Sequence, residues 1–181
     1  MKKVNKYEDI IIDYYNKIEE DNRFIKSNGT KVEFFTTMHY IRKYIKKDMR
    51  ILEIGAGTGV YSIALAKEGY DVTAIELVQS NLDILIKKSK GIKNLNAFQG
   101  DSLDLSRFED NSFDMVLVLG PLYHLFNKKD KDLAIKEAIR VCNKKGIAMF
   151  SYISHSAVVW SYGVKKQNFD LLLKLIKKDG G

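Results

Sequence analysis

Several residue types are scarce in this sequence, and each shortage excludes a class of protein. Cys142 is the single cysteine among 181 residues, so the sequence holds no intrachain disulfide and no zinc cluster built from several thiolates. Pro121 is the single proline, and no stretch rich in glycine, serine or proline separates one domain from another. No apolar run approaches the roughly 20 residues of a membrane-spanning helix. We therefore expect a soluble, cytoplasmic protein with one hydrophobic core.

Arginine is scarce as well, although the sequence is basic. The formal net charge is +7, from 30 lysines and arginines against 23 acidic residues, and only five of the basic residues are arginine. A basic surface is one sign of nucleic-acid binding, but arginine is the side chain whose planar fork binds phosphate best. The lysines are spread in pairs, mostly near the ends of predicted helices, where they complement the helix dipole. We favour a solvated lysine surface and keep RNA binding as the alternative.

Hydrophobic periodicity predicts the fold class. Apolar residues recur at helical spacing in two amino-terminal segments, 4–20 and 34–47, on either side of an Asn28-Gly29 turn signal. From residue 51 onward, short apolar strands alternate with helices, which predicts a Rossmann-like, doubly wound α/β domain with a mostly parallel sheet in three layers. The predicted strands are 51–54, 71–75, 94–99, 113–119 and 146–153, and the helices between them are 60–67, 78–90 and 128–142.

A glycine-rich turn, 55–59, follows the first predicted strand and precedes a helix. Glycines allow a tight turn and a close approach of backbone to ligand, and the helix start offers unpaired amides, so a nucleotide-like ligand suits this place. The dinucleotide fingerprint needs its third glycine or an alanine where Val60 stands. Glu53 suits instead the ammonium group of S-adenosylmethionine. The alternative is a turn that only packs the helix on the strand.

Two carboxylates stand where the second and third predicted strands end. Glu76 ends the second strand, about twenty residues after the glycine turn, where an acidic residue accepts ribose hydroxyls. Asp101 follows the third strand and could accept a hydrogen bond from an adenine amino group, with Ser102 beside the ring. A turn or cap role is the alternative for Asp101.

Together these features resemble the class I S-adenosylmethionine-dependent methyltransferases over roughly residues 32–153. Segments 32–38 and 120–125 are similar to a subgroup of small bacterial methyltransferases that mostly lack an assigned substrate. The resemblance implies in-line methyl transfer to a small-molecule nucleophile, with Glu53 and Gly55 at the methionyl end of the cofactor. The predicted cofactor contacts are Glu53, Gly55, Ala56, Gly57, Gly59, Glu76, Leu77, Asp101, Ser102, Leu119 and Gly120.

The loop after the fourth strand carries the candidates for catalysis. His124 could act as a general base, because imidazole titrates near neutral pH, and Tyr123 could line the pocket or lie against the sulfonium. A His124 that only packs the loop is an equally good interpretation, because methyl transfer often needs only alignment. The three histidines, His39, His124 and His155, are too scattered for a metal site, so we predict none.

The resemblance also divides the sequence into three parts. Residues 1–47 would be helices that cover the cofactor, with Tyr14 and Thr37 as candidates for the lid. Residues 48–153 would be the cofactor-binding core. The class ends with two further strands that this sequence lacks, so we expect a shortened sheet. Residues 154–181 would begin a substrate lid or be a shortened carboxyl-terminal part, with a helix at 169–176 and aromatic contacts from His155, Trp160 and Tyr162.

Three other functions stay open beside the small-molecule methyltransferase. An RNA methyltransferase would explain the charge, but the Asn/Asp-Pro-Pro-aromatic tetrad of amino-directed nucleic-acid enzymes is absent, and Gly120-Pro121-Leu122-Tyr123 only echoes it. A non-catalytic module would bind S-adenosylmethionine without turnover. A nicotinamide-dependent oxidoreductase is disfavoured by Val60.

Overall fold

The computed structural model describes residues 6–17, 28–160 and 170 of the chain. It divides into two units, Met1–Ser151 and Tyr152–Gly181. In the smaller unit, one four-residue helix, α6 (His155–Val158), is described, and Tyr152, Ile153 and Trp160 are exposed. Tyr162 and the predicted helix at 169–176 lie outside the described residues, apart from a helical assignment at Asp170.

The larger unit follows the predicted alternation of strands and helices. Within the described ranges, helices α1 (Lys6–Lys17) and α2 (Asn28–Tyr44) precede the first strand. The strands are β1 (Arg50–Ile54), β2 (Asp71–Glu76), β3 (Leu95–Gln99), β4 (Phe113–Val118) and β5 (Cys142–Phe150). The helices between them are α3 (Val60–Lys67), α4 (Gln79–Lys88), the short 3₁₀ helix Pro121–Tyr123 and α5 (Lys128–Val141). None of the helices within the described ranges is both long and apolar enough to cross a membrane.

All neighbouring strands are parallel, in the order β3-β2-β1-β4-β5. The chain moves outward from β1 to β3 on one side and from β4 to β5 on the other, so the order reverses between β1 and β4. Ligands of open parallel sheets bind beyond the carboxyl ends of the strands at this switch point. The predicted Rossmann-like α/β fold is confirmed, and its topology indicates where to look for the site.

Both faces of the sheet are covered by apolar helix surfaces. Successive residues of a strand point to opposite faces, so Ile51 and Met115 pack on one side, with α2, α3 and α4, and Leu52 and Val116 pack on the other, with α5. Both faces of β1 and β4 are therefore dry, which explains why these strands are apolar without alternation.

Several predicted boundaries were wrong for local reasons. The Asn28-Gly29 pair begins α2 instead of forming a turn. The amides of the first helical turn have no partner within the helix, so weak helix formers at this position interrupt no helical hydrogen bond. Strand β5 begins at Cys142, which is buried as predicted but lies outside α5, and ends at Phe150, before the predicted Ile153. Gly146 lies inside the strand, where a Cβ would come 2.8 Å from the carbonyl oxygen of Asp114.

Arg140 ties α5 to the segment between β3 and β4. Its guanidinium donates to the carbonyl oxygens of Leu105 and Phe108, each at 2.9 Å, and to the carboxylates of Glu137 and Asp110, at 2.8 Å. The hydrogen-bonded ion pair with Arg140 holds the pKa of Glu137 below its ordinary value. Five donated hydrogen bonds from one side chain make Arg140 a structural residue.

We expect Arg140→Ala to lower the free energy of unfolding by about 2 kcal/mol, because charge-assisted hydrogen bonds to two carbonyls are lost together. Urea unfolding followed by circular dichroism measures this loss. Arg42→Ala is the matched control, since Arg42 forms an exposed ion pair with Glu68 and should leave the unfolding midpoint nearly unchanged. Equal effects of the two changes would contradict the structural role of Arg140.

Candidate active site

A cavity opens at the carboxyl ends of the strands, at the switch point between β1 and β4. It encloses about 880 Å³ of space, part of which is open solvent. Of the thirteen residues predicted from the sequence as site residues, all but Gly59 line it. These residues are Glu53, Gly55, Ala56, Gly57, Glu76, Leu77, Asp101, Ser102, Leu119, Gly120, Tyr123 and His124.

Glu53 lies near the end of β1, with only 1% of its surface exposed. It accepts a hydrogen bond from the hydroxyl of Ser62 on α3. Burial raises the pKa of Glu53 to about 7, although the bond from Ser62 opposes this shift. Because the charged form is costly in a dry environment, a cationic group brought into the cavity would favour the carboxylate.

Glu76 ends β2 and braces the glycine turn. One of its carboxylate oxygens accepts from the backbone amide of Gly57 at 2.7 Å, and the other accepts from the amide of Val78 at 2.9 Å. Burial raises the pKa of Glu76, and these backbone hydrogen bonds oppose the shift. The side chain of Asn81 and the backbone of Leu77 also hydrogen-bond to Glu76, so several donors share its two oxygens. The bracing role was not predicted from the sequence.

Glycine is required at two positions of the turn for different packing reasons. Gly55 has φ +74°, and a Cβ there would come 2.7 Å from Cγ of Pro121, so this residue lets the loop after β4 approach β1. Gly59 has φ +83° and lies outside the lining of the cavity, and its Cβ would come 2.7 Å from Cγ of Leu85. The structure therefore gives Gly59 a role in the packing of α3 against α4, and its contact with a cofactor stays a prediction.

Thr58 lines the cavity and was missed by the sequence analysis. Thr58 is 2% exposed, and its hydroxyl oxygen has no hydrogen-bond partner in the part of the chain that the structure describes. A buried hydroxyl without a partner costs roughly 1–3 kcal/mol, which a polar ligand group would recover. A polar residue between two glycines of the turn was the signal that could have identified it.

Asp101 forms the turn that was predicted as its alternative role. One carboxylate oxygen accepts from the amide of Leu103 at 3.1 Å and from the hydroxyl of Ser102 at 3.3 Å. Asp101 and Ser102 nevertheless both line the cavity, at the end that follows β3. The turn therefore orients the carboxylate without removing it from the site.

The loop after β4 brings Tyr123 and His124 to the cavity. The hydroxyl of Tyr123 donates to the carbonyl oxygen of Leu119 at 3.2 Å, which fixes that ring against the end of β4. Nε2 of His124 lies 2.9 Å from the hydroxyl oxygen of Tyr15 on α1, and the two rings meet edge to face.

The structure places other side chains at the cavity than the two lid candidates predicted from the sequence. Tyr14 is 54% exposed, and neither Tyr14 nor Thr37 lines the cavity. The residues of α1 that do so are Ile11 and Tyr15, and Glu33 does so from α2. Ile11 and Tyr15 are four residues apart and share one face of the helix, but Ile11 and Tyr14 are three apart, so spacing alone could not have chosen between the two tyrosines.

The charges of the cavity oppose the charge of the whole chain. Its lining includes four carboxylate side chains, those of Glu33, Glu53, Glu76 and Asp101, and no lysine or arginine among the residues described. Such a lining favours a cationic ligand over an anionic one. Across the same described ranges, no three histidine, cysteine or acidic side chains are grouped so as to hold a metal ion.

Comparison with known proteins identifies the family. A sequence profile described as a methyltransferase domain matches residues 51–146, more than half of the chain. The chain belongs to the methyltransferase domain family. This methyltransferase domain is similar to the ubiquinone biosynthesis O-methyltransferase of Rickettsia akari, with 27% identity over 168 residues, 90% of this chain and 64% of the relative. It is also 31% identical to the demethylmenaquinone methyltransferase of Staphylococcus aureus over 135 residues, 73% of this chain and 53% of the relative.

Solved structures agree with this family. A crystal structure from Methanosarcina mazei, described as a SAM-dependent methyltransferase, is 29% identical to the methyltransferase domain, with a TM-score of 0.53 over 57% of this chain and 52% of that one. The chain spans 64% and 53% of the two curated relatives named above. The family resemblance that was predicted from the sequence is confirmed.

The raised pKa of Glu53 predicts a pH-dependent stability. The stabilising effect of the protonated Glu53 is fully present below pH 4.5, the ordinary pKa, and is lost as the pH rises through about 7. We expect the free energy of unfolding of the wild type to fall on the order of 2–3 kcal/mol over this window. The same fall should be absent in Glu53→Gln, which has no carboxyl group at this position. Urea unfolding at several pH values measures it, with Glu109→Gln as the exposed control. A pH profile of Glu53→Gln parallel to that of the wild type would contradict the shift.

Proposed function

We propose that this chain binds S-adenosylmethionine in the cavity and transfers its methyl group to a small-molecule nucleophile. The observation that carries the proposal is the placement of Glu53, Glu76 and Asp101, which line one cavity from the ends of three neighbouring strands. The structure of the Methanosarcina mazei protein, described as SAM-dependent, supports the choice of cofactor.

The residues present fit this cofactor at each end. The buried carboxyl of Glu53 suits the ammonium of the methionyl part, and the unpartnered hydroxyl of Thr58 offers a further hydrogen bond there. Glu76 would accept from the ribose hydroxyls while it holds Gly57, and Asp101 would accept from the adenine amino group. When bound, S-adenosylmethionine supplies an electrophilic methyl group on a positively charged sulfur, and the four carboxylates of the lining favour that charge.

The loop after β4 and helix α1 would hold the methyl acceptor. Pro121, Leu125 and Ile11 give this side an apolar wall, and Tyr15 and His124 give it hydrogen-bonding groups. The relatives include an enzyme named as a ubiquinone biosynthesis O-methyltransferase and one named as a demethylmenaquinone methyltransferase. We therefore infer a hydroxylated aromatic ring as the class of acceptor, aligned by the apolar wall for in-line transfer.

RNA is the less favoured acceptor because of the charges in the cavity. A site that receives a nucleotide needs cations for the flanking phosphates, and the described lining has carboxylates instead. The net charge of +7 is the observation that keeps this alternative. RNA binding that weakens steeply as salt is added would support it, and its absence at low salt would remove it.

Calorimetric titration tests the cofactor, with S-adenosylmethionine and S-adenosylhomocysteine as ligands and NAD as the negative control. We expect saturable binding of the first two and at least about a tenfold loss in Gly57→Val, because φ of +57° disfavours a β-branched residue in the turn. Gly91→Val is the matched control, since Gly91 also has a positive φ, +91°, but has no atom within 4 Å of its Cβ position and lies outside the cavity.

Each outcome of the titration has a definite meaning. Binding that is lost in Gly57→Val and kept in Gly91→Val would support the proposed cofactor site and lead to an acceptor screen. Binding without turnover of any hydroxylated aromatic compound would favour a non-catalytic module. A folded wild-type chain that binds neither S-adenosyl compound would overturn the proposal.

A further inference from the structure

Tyr15 and His124 are far apart in the sequence of the larger unit and meet at one wall of the cavity. The hydroxyl oxygen of Tyr15 lies 2.9 Å from Nε2 of His124, although the residues are 109 positions apart. Their ring centroids are 5.5 Å apart at an interplanar angle of 69°. Both residues line the cavity and are partly buried, so the pair faces the space that a ligand would occupy.

His124 is held in place from the side of the sheet. Its backbone amide donates to the carbonyl oxygen of Pro121 at 3.0 Å, and its ring lies 4.8 Å from that of Tyr123. Tyr123 is itself fixed through its hydrogen bond to Leu119. The imidazole is therefore oriented by the end of β4, independently of α1.

Tyr15 is held in place from the side of α1. Ile11, one helical turn before Tyr15, is buried in a small cluster with Val78, Leu125 and Ala134, and Tyr15 packs against the same cluster. Leu125 follows His124 directly, so the apolar contact of Ile11 and the hydrogen bond of Tyr15 join α1 to the same loop. The packing of α1 and the Tyr15–His124 bond thus depend on the same loop.

We propose that Tyr15 is a catalytic residue, and that it accepts the proton of the methyl acceptor and passes its own proton to His124. This inference rests on the proposed function. The relay requires the neutral His124 tautomer with its proton on Nδ1, so that Nε2 accepts from the Tyr15 hydroxyl 2.9 Å away and the acceptor reaches Nε2 through that hydroxyl. His124 acts through Tyr15 and is a positioning residue. The base exists only while α1 is packed on the loop.

The step balances in atoms and charge. The acceptor oxygen forms a bond to the methyl carbon, the bond between sulfur and methyl breaks, and the sulfur keeps the electron pair. The acceptor proton moves to the Tyr15 oxygen as the Tyr15 proton moves to Nε2. The positive charge of the sulfonium is replaced by that of the imidazolium, which afterwards loses its proton to solvent.

A double-mutant cycle tests the pair, with catechol and hydroquinone as acceptor probes and S-adenosylmethionine as the donor. We expect Tyr15→Phe and His124→Gln each to lower kcat about 100-fold, with KM and cofactor affinity within about threefold of the wild type. The double variant should be no slower than the slower single variant, because the two residues act as a unit. Tyr14→Phe is the matched control on the same helix, and its kcat should equal that of the wild type.

A spectroscopic measurement tests the pair without turnover. The ¹⁵N resonances of the His124 ring report which nitrogen carries the proton, and we expect the Nδ1–H form in the wild type. Tyr15→Phe should shift the Nε2 resonance, and Tyr14→Phe should not.

The outcomes separate this inference from the proposed function. Additive losses in the cycle, a kcat for Tyr15→Phe within about twofold of the wild type, or an unmoved Nε2 resonance would each overturn the role of Tyr15. If the wild type binds S-adenosylmethionine but methylates neither probe, the resonance of Nε2 alone decides. A wild type that does not bind S-adenosylmethionine overturns the proposed function instead, while the resonances still report the pair.

Discussion

The hydrogen bond from the amide of Gly57 to Glu76 is the contact on which the site depends. A turn with three glycines at positive φ has a large conformational freedom that must be lost on folding. Glu76 holds this turn from the neighbouring strand, and its second oxygen holds the start of the next connection through Val78. The carboxyl ends of β1 and β2 are thereby joined through one buried side chain.

Burial of the carboxyl groups in the site makes their charged forms costly. Glu53 and Glu76 are both buried, and the pKa of each is raised because water is excluded. The hydrogen bonds of Ser62, Gly57 and Val78 offset part of the cost of charge. A cationic ligand would offset more, so the site is poised for a positively charged molecule although the chain as a whole is basic.

The fold was predictable because its signals are local and repeated. Apolar strands alternating with helices indicate a parallel sheet, and the boundaries of α3 were predicted to the residue. The cavity residues at the ends of β1, β2 and β3 were predictable for the same reason, since they follow strand ends. The boundary errors at Asn28 and Gly146 share one cause: a glycine or asparagine signals a special backbone position but does not say whether a turn, a helix start or a packed neighbour requires it.

The cavity wall formed by α1 and the loop after β4 was harder to predict because its contacts join distant parts of the sequence. That Tyr15 and not Tyr14 faces the cavity depends on how α1 docks, and its partner lies 109 residues away. The orphan hydroxyl of Thr58 is likewise a property of the packed structure, since burial decides whether a threonine has access to water. Sequence patterns specify which elements form and where strands end, but not which helix face closes a cavity.

The reversal of strand order between β1 and β4 separates two kinds of surface. The loops after β1, β2 and β3 carry the glycine turn, Glu76 and Asp101, whereas the loop after β4 and helix α1 carry His124 and Tyr15. On the proposed function, a change in α1 alters the molecule that is methylated without touching the residues that bind the methyl donor. The two halves of the cavity are then free to evolve at different rates, with a slowly changing half that keeps the chemistry and a rapidly changing half that selects its target.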